Sequence, residues 1–334
     1  MVHEGVNLPG AGGSEAGRRR PTPVLHGSAT VDPVTATDDT GSPVRGRCVT
    51  PDGVGIATYD FGGDGPDLLL VHATGFCATV LGPVARALAG DFHCWALDLR
   101  AHGHSDRPAD GDFAWSGFAT DVLTVVGHLG LDHPLGFGHS CGGASLLLAE
   151  ERRPGTFAAL HAFEPVVLPA PPMAPSLEDN PLSTGALRRR ESFPSRTDAF
   201  LNFSSKPPFR DLDPEAIRSY VEDGFETVPG PEGGDGEAVR LRCRREDEAQ
   251  IYAHGVSHDA FLALGRVACH VTLACGEHTD AFGPAFLEAD AERLTSSTVE
   301  ILPGVGHFGP LERPREMAGS IARAFRPAGG TPWS

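Results

Sequence analysis

Short apolar runs alternate with helically spaced apolar positions through most of the chain. "VRGRCVT" and "VGIATYDFG" flank Pro51-Asp52-Gly53 and predict a β-hairpin. "DLLLVH" (67–72) and "FHCWALDL" (92–99) are short enough to be buried strands. Between them "TVLGPVARALAG" (79–90) reads as a helix stopped by Gly90. Phe118, Val122, Val125 and Leu129 fall on one helical face, closed by Gly130. "HPLGFGHS" then predicts a strand, with a helix from Cys141, and "FAALHAFEPVV" a further strand. Late in the chain, 269–277 and 298–304 read as strands, each followed by a helical pattern, near 284–294 and 314–325.

Strand–helix alternation of this kind predicts an α/β fold, with a mostly parallel sheet covered by helices on both faces. The rhythm breaks between Leu168 and about Leu262, where Pro clusters and mixed charges surround helix-like pieces such as "DPEAIRSYVEDGF". The expected organisation is a core over 44–168 and 263–326, with a mainly helical lid at 169–262. "PGPEGGDGE" inside the lid reads as a loop, and "LRCRREDEAQ" (241–250) as a solvated surface or a helix start. Residues 1–43 lack periodicity and are rich in Gly, Ser, Thr, Pro and Asp, which predicts a flexible tail. Residues 327–334 read as a C-terminal tail.

Composition narrows the partners. The 334 residues carry a formal net charge of −17, and Lys206 is the only lysine. Phosphate binding needs clustered Lys and Arg, so nucleic acid is an unfavourable partner, as is an anionic membrane. No run approaches the roughly 18 apolar residues of a membrane span. Arg18–Arg20 are followed by no continuous apolar segment, unlike an export signal. Seven cysteines at irregular spacing, with no CxxC, predict reduced thiols and a cytoplasmic location. A small-molecule substrate is the partner class that remains; oligomeric state is open.

The chemistry centres on Gly138-His139-Ser140-Cys141-Gly142, which follows a predicted strand and opens a predicted helix. Glycines two before and two after the serine let backbones pack closely around a strained turn. The hydroxyl then projects at the carboxyl end of the sheet. The motif alone is weak in a Gly-rich chain; strand, motif and helix together are much stronger.

With "HATGF" (72–76), "DLRAHGHSD" (98–106), "GEHTD" and "GVGHFGPLERP", the chain resembles the serine hydrolases of the α/β-hydrolase fold from about Val44 to Arg326. The resemblance implies the order nucleophile, acid, base: Ser140, Asp280, His307. A serine hydroxyl needs a neutral imidazole to take its proton, and a carboxylate to orient that imidazole. Asp280 lies four residues after Gly276, where many relatives place the acid at three. Glu277 and Glu164 are therefore rival acids, Glu164 because some relatives take theirs from after the preceding strand. For an oxyanion the resemblance implies the backbone N–H of Cys141 and a second donor at Thr74, with Ala73 standing where many relatives have glycine. It implies no cofactor.

Other features read as structural. His102 and His104 lack a third metal ligand, and His254 and His258 read as an exposed or lid-lining pair. Arg188–Arg190 read as solvent-facing, or as a contact for an anionic acyl group if the lid folds inward. The expected reaction is hydrolysis of an ester, thioester or lactone. Acyl transfer, C–C cleavage, lyase or cyclase chemistry on the same scaffold is the alternative, and a non-catalytic receptor a more distant one.

Overall fold

The computed structural model describes residues 43–230 and 237–326. Its strands are β1 (Val44–Val49), β2 (Gly55–Gly62), β3 (Asp67–Val71), β4 (His93–Leu97), β5 (Leu135–His139), β6 (Ala159–Phe163), β7 (Ser192–Phe193), β8 (Phe225–Pro229), β9 (Glu237–Leu241), β10 (His270–Gly276) and β11 (Ser297–Leu302). Eight of them form one sheet in the order β1-β2-β4-β3-β5-β6-β10-β11. The β1–β2 and β2–β4 pairings are antiparallel, and every other pairing is parallel.

The β3 run explains why the centre of this sheet is so apolar. Leu68 and Leu70 point into one hydrophobic cluster, Leu69 and Val71 into another on the opposite face. All four are fully buried. A strand with a core on both sides has no polar alternation, and each such side chain contributes roughly 1.5–3 kcal/mol.

Helices α1 (Gly82–Leu88), α2 (Trp115–Leu129) and α3 (Cys141–Arg152) connect the first strands. Gly130 ends α2 in the left-handed region at φ 67°, which L side chains enter at a cost. The predicted helix at 79–90 is in fact two pieces: a 3-10 turn over Ala78–Leu81, then α1. Pro83 lies in the first turn of α1, where its missing N–H costs nothing.

Between β6 and β10 the chain forms α4 (Pro181–Leu187), α5 (Arg196–Ser204), α6 (Pro214–Asp223), α7 (Arg245–His254) and the short α8 (Ala260–Ala263). Here the structure adds an element that the sequence reading missed. Strands β7, β9 and β8 form a separate three-stranded antiparallel sheet. Its buried Phe193, Phe225, Val239 and Leu241 alternate with charged residues in strands too short to stand out. The 241–250 stretch opens α7 as a helix start, but its acids are not all solvated. Asp247 pairs with Arg107 at 2.6 Å and Glu248 with Arg189, both acids being buried. Helices α9 (Pro284–Ala291), α10 (Gly309–Glu312) and α11 (Pro314–Ala324) complete the core. Most of the predicted 229–237 loop lies outside the described residues, as do nearly all of the N-terminal tail and the whole C-terminal one. No helix among the described residues is long and apolar enough to cross a membrane.

Candidate active site

Ser140 sits between β5 and α3 at φ 55°, ψ −115°. A non-glycine residue held there stores backbone strain. Two glycines make the turn possible. A Cβ on Gly138 would come within 2.5 Å of the Gly142 carbonyl carbon, and one on Gly142 within 2.2 Å of the Val71 carbonyl oxygen. The turn is pinned from β6, because the Ser140 N–H donates to the Phe163 carbonyl at 2.9 Å.

The neighbouring thiol is placed differently. Cys141 is fully buried, and burial pushes its thiol up to about 12 despite the Thr74 and Ser145 hydroxyls beside it. It is a small apolar side chain in the helix, and its thiolate form is suppressed. All seven cysteines are free and buried.

His307 reaches the site from the loop after β11, and its carboxylate partner is Glu164. The His307 Nδ1–H donates to Glu164 Oε2 at 2.6 Å. A carboxylate accepts, so Nδ1 carries the proton and Nε2 keeps its lone pair in the neutral ring. The same Oε2 accepts from the Thr279 hydroxyl at 2.7 Å, and Oε1 accepts from the Gly276 N–H at 3.0 Å. Glu164 is completely buried and follows β6 directly, at φ 45°.

Of the candidate acids, the structure places Glu164, and not Asp280, against His307. Asp280 is exposed at the rim of the site and makes no hydrogen bond to His307 among the described residues. The reason is local. A Cβ on Gly276 would lie 2.3 Å from the Val305 carbonyl oxygen, so the end of β10 runs flush against the histidine loop. That closeness brings His307 over the end of β6, where Glu164 stands. Glu277 is exposed as well and accepts from the Gly304 N–H at 3.0 Å.

Thr74 is buried and faces the same cavity as Ser140. Its loop is tied down by the Gly75 N–H, which donates to His102 Nε2 at 2.9 Å. His102 Nδ1–H donates in turn to the Arg100 carbonyl at 2.9 Å. Both ring nitrogens of His102 are thereby engaged, and His104 Nε2 meets Asp223 at 3.1 Å. Arg100 itself grips buried Asp121 through two nitrogens. These side chains hold one loop against another.

A cavity of about 380 Å³ opens over Ser140. Trp115, Tyr252, Phe282 and Phe308 supply aromatic walls, while Ser140, Thr74, His307 and Asp280 face it with polar groups. Ser140 and His307 share this space without a direct hydrogen bond among the described residues, a looseness usual before substrate binds. His258 stands behind the wall, its ring stacked on Trp115 at 5.0 Å.

Residues 68–320 match the model of the alpha/beta hydrolase family, and these residues span the sheet, the serine turn and the histidine loop. The chain belongs to the alpha/beta hydrolase family. The expectation of an enzyme of this kind, with its mostly parallel sheet, therefore holds. It is 25% identical over 253 residues to 2-(acetamidomethylene)succinate hydrolase of Mesorhizobium japonicum, covering 74% of this chain and 83% of the relative. It is 30% identical over 252 residues to the magnesium-chelatase 30 kDa subunit of Rhodobacter capsulatus, covering 73% and 81%. The crystal structure of E-2-(acetamidomethylene)succinate hydrolase superposes with a TM-score of 0.69 at 22% identity, over 84% of this chain and 98% of that one.

Two residues of this family member escaped the sequence reading. His139 stands at the variable position of the serine motif, and its buried imidazole needs a partner. Thr279 lies inside "GEHTD", between the candidate acids Glu277 and Asp280. Its hydroxyl proves to share an acceptor oxygen with His307.

Proposed function

We propose that this family member is a serine hydrolase of carboxylic esters, thioesters or lactones, with Ser140 as nucleophile, His307 as base and Glu164, not Asp280, as the orienting acid. The observation carrying this reading is the chain of contacts from Glu164 to His307, whose free Nε2 shares a cavity with a serine held in a strained turn. Ser140 Oγ attacks the acyl carbonyl as its proton passes to His307 Nε2. The backbone N–H groups of Cys141 and Thr74 receive the oxyanion. The imidazolium, steadied by Glu164, then protonates the departing alkoxide or thiolate and leaves an acyl-serine. Water enters, gives a proton to His307 and attacks the same carbonyl. Release of the acid returns the proton to Ser140.

Residues 169–262 act in this scheme as the lid, since Asn180, Leu182, Tyr252, Gly255 and Val256 come from that segment and line the cavity. The succinate in the named relative's substrate does not transfer readily. Arg189 is paired with Glu248 at 2.6 Å, and neither Arg188 nor Arg190 lines the cavity. Arg190 lies over the Phe193 ring at 4.4 Å. Arg189 does turn inward, its Nη1 3.2 Å from a Cβ built on Gly75, but Glu248 takes up its charge, and none of the three arginines lines the cavity.

The test is a fluorophosphonate probe and a nitrophenyl ester. Ser140 should take the label, and Ser140→Ala should lower kcat by about 10⁶. Glu164→Gln should cost about 10⁴, as loss of an orienting carboxylate does elsewhere. If Asp280→Asn proves the more damaging of the two, the acid role returns to Asp280.

A further inference from the structure

We infer that the cavity selects substrates whose acyl group is uncharged, and that Asp280 turns away those carrying a second carboxylate. The inference rests on the hydrolase reading above and names its substrate class. Among the described residues sixteen line the cavity; none of these is Arg or Lys, and Asp280 is the one acid. Several of the polar groups there are already engaged. Asn180 Oδ1 accepts from the Leu182 and Ser183 N–H groups, and Asn180 Nδ2 donates to the Tyr252 carbonyl at 3.0 Å. Trp115 Nε1 donates to the Ile251 carbonyl at 3.0 Å, so the indole offers the cavity its apolar surface.

The guanidinium beside the Thr74-Gly75 loop, that of Arg189, is withheld too. Arg189 Nη1 bonds both Glu248 oxygens and its Nη2 bonds the Tyr220 hydroxyl. Arg107 forks onto Asp247 through Nε and Nη2. A substrate carboxylate entering this space would lose water, gain no cationic partner and meet Asp280 at the rim. An alkyl or aryl acyl group would instead exchange water for the Trp115, Phe282 and Phe308 walls.

The experiment compares two esters of equal chain length, p-nitrophenyl pentanoate and mono-p-nitrophenyl glutarate, after subtraction of spontaneous hydrolysis. The neutral ester should have the higher kcat/KM by at least about tenfold. In Asp280→Asn and Asp280→Ser that ratio should shrink by at least about threefold. Asp280 is exposed, so neither variant threatens folding. An equal or better rate with the glutarate, or an unchanged ratio in both variants, overturns the inference. Titration of Ser140→Ala with the same two esters, read by tryptophan fluorescence, reports the preference without turnover. Should fluorophosphonate fail to label Ser140, the hydrolase reading falls, and this titration still decides for or against charge selection. Tighter binding of the pentanoate supports it; equal binding, or tighter binding of the glutarate, ends it.

Discussion

His139 donates its Nε2–H to the backbone carbonyl of His307 at 2.9 Å, and the two rings lie 5.1 Å apart. The residue before Ser140 thus holds His307, on the loop after β11, by its main chain. Burial, and then the nearby His307, keeps the His139 imidazole well below its ordinary pKa, so this tether stays neutral. His139→Phe keeps the ring's bulk and deletes the donor. It should lower kcat by about tenfold, the worth of a typical net hydrogen bond of about 1–1.5 kcal/mol. Fluorophosphonate labelling of Ser140 should persist, and steady-state kinetics on p-nitrophenyl pentanoate checks the size of the loss.

The tie from His102 to Gly75 makes a second expectation. His102→Leu leaves a buried N–H without its acceptor, at a cost of about 1–3 kcal/mol. Urea unfolding should show that loss. kcat should fall with it, because the Thr74 loop loses its anchor, while KM for a short ester changes little.

Acid should destabilise the protein through its buried imidazoles. Burial pushes His72 to about 4, His102 to about 3, and His161 and His258 to about 4. In the unfolded chain these rings titrate near 6.5. The unfolded state therefore binds more protons, and stability is fully present above about 6.5 and drains away as pH falls toward 4. Each ring withdraws roughly 1.4 kcal/mol per pH unit in that window. Urea midpoints at pH 7, 6 and 5 should fall steadily, and His161→Phe should flatten the slope.

Alkali should destabilise it through a different group. Asp290 on α9 is completely buried, neither carboxyl oxygen has a hydrogen-bond partner among the described residues, and burial pushes it up to about 8. Here the folded state binds the extra proton, so the contribution is intact below about 4 and is lost as pH rises through 8. Asp290→Leu should remove its share of that dependence, leaving that of Glu151, which burial also pushes up to about 8. Between pH 6 and 9 it should gain on the order of 2 kcal/mol relative to wild type, measured by urea unfolding.

Thiol reagents should find almost nothing to modify. With every cysteine buried, the folded protein should react negligibly with a disulfide reagent, and the denatured protein should yield seven thiols. Any slow modification in the folded state should begin at Cys269, the most exposed of the seven at 8%.

Much of the scaffold was legible because its signals are local. The β3 run, the Gly130 stop and the glycines around Ser140 each impose a conformation on their own neighbours. The carboxylate partner of His307 was not legible in that way. Glu164 and Asp280 both follow strands and both have the right chemistry; what separates them is the contact of Gly276 with Val305, set by how β10 and the histidine loop pack. The β7-β9-β8 sheet was hidden for a related reason. Its strands are two to five residues long, and their alternation is too brief to separate from surface sequence. Arg189 and Glu248 looked solvated because their partnership spans 59 positions of chain.

Housing the imidazole's carboxylate at the end of β6 has a consequence for the segment after β10. That segment steadies Glu164 through the Thr279 hydroxyl, and one residue further on it presents Asp280 to the cavity. On the proposed assignment, exchange of position 280 would retune what the enzyme accepts while Glu164 still holds His307.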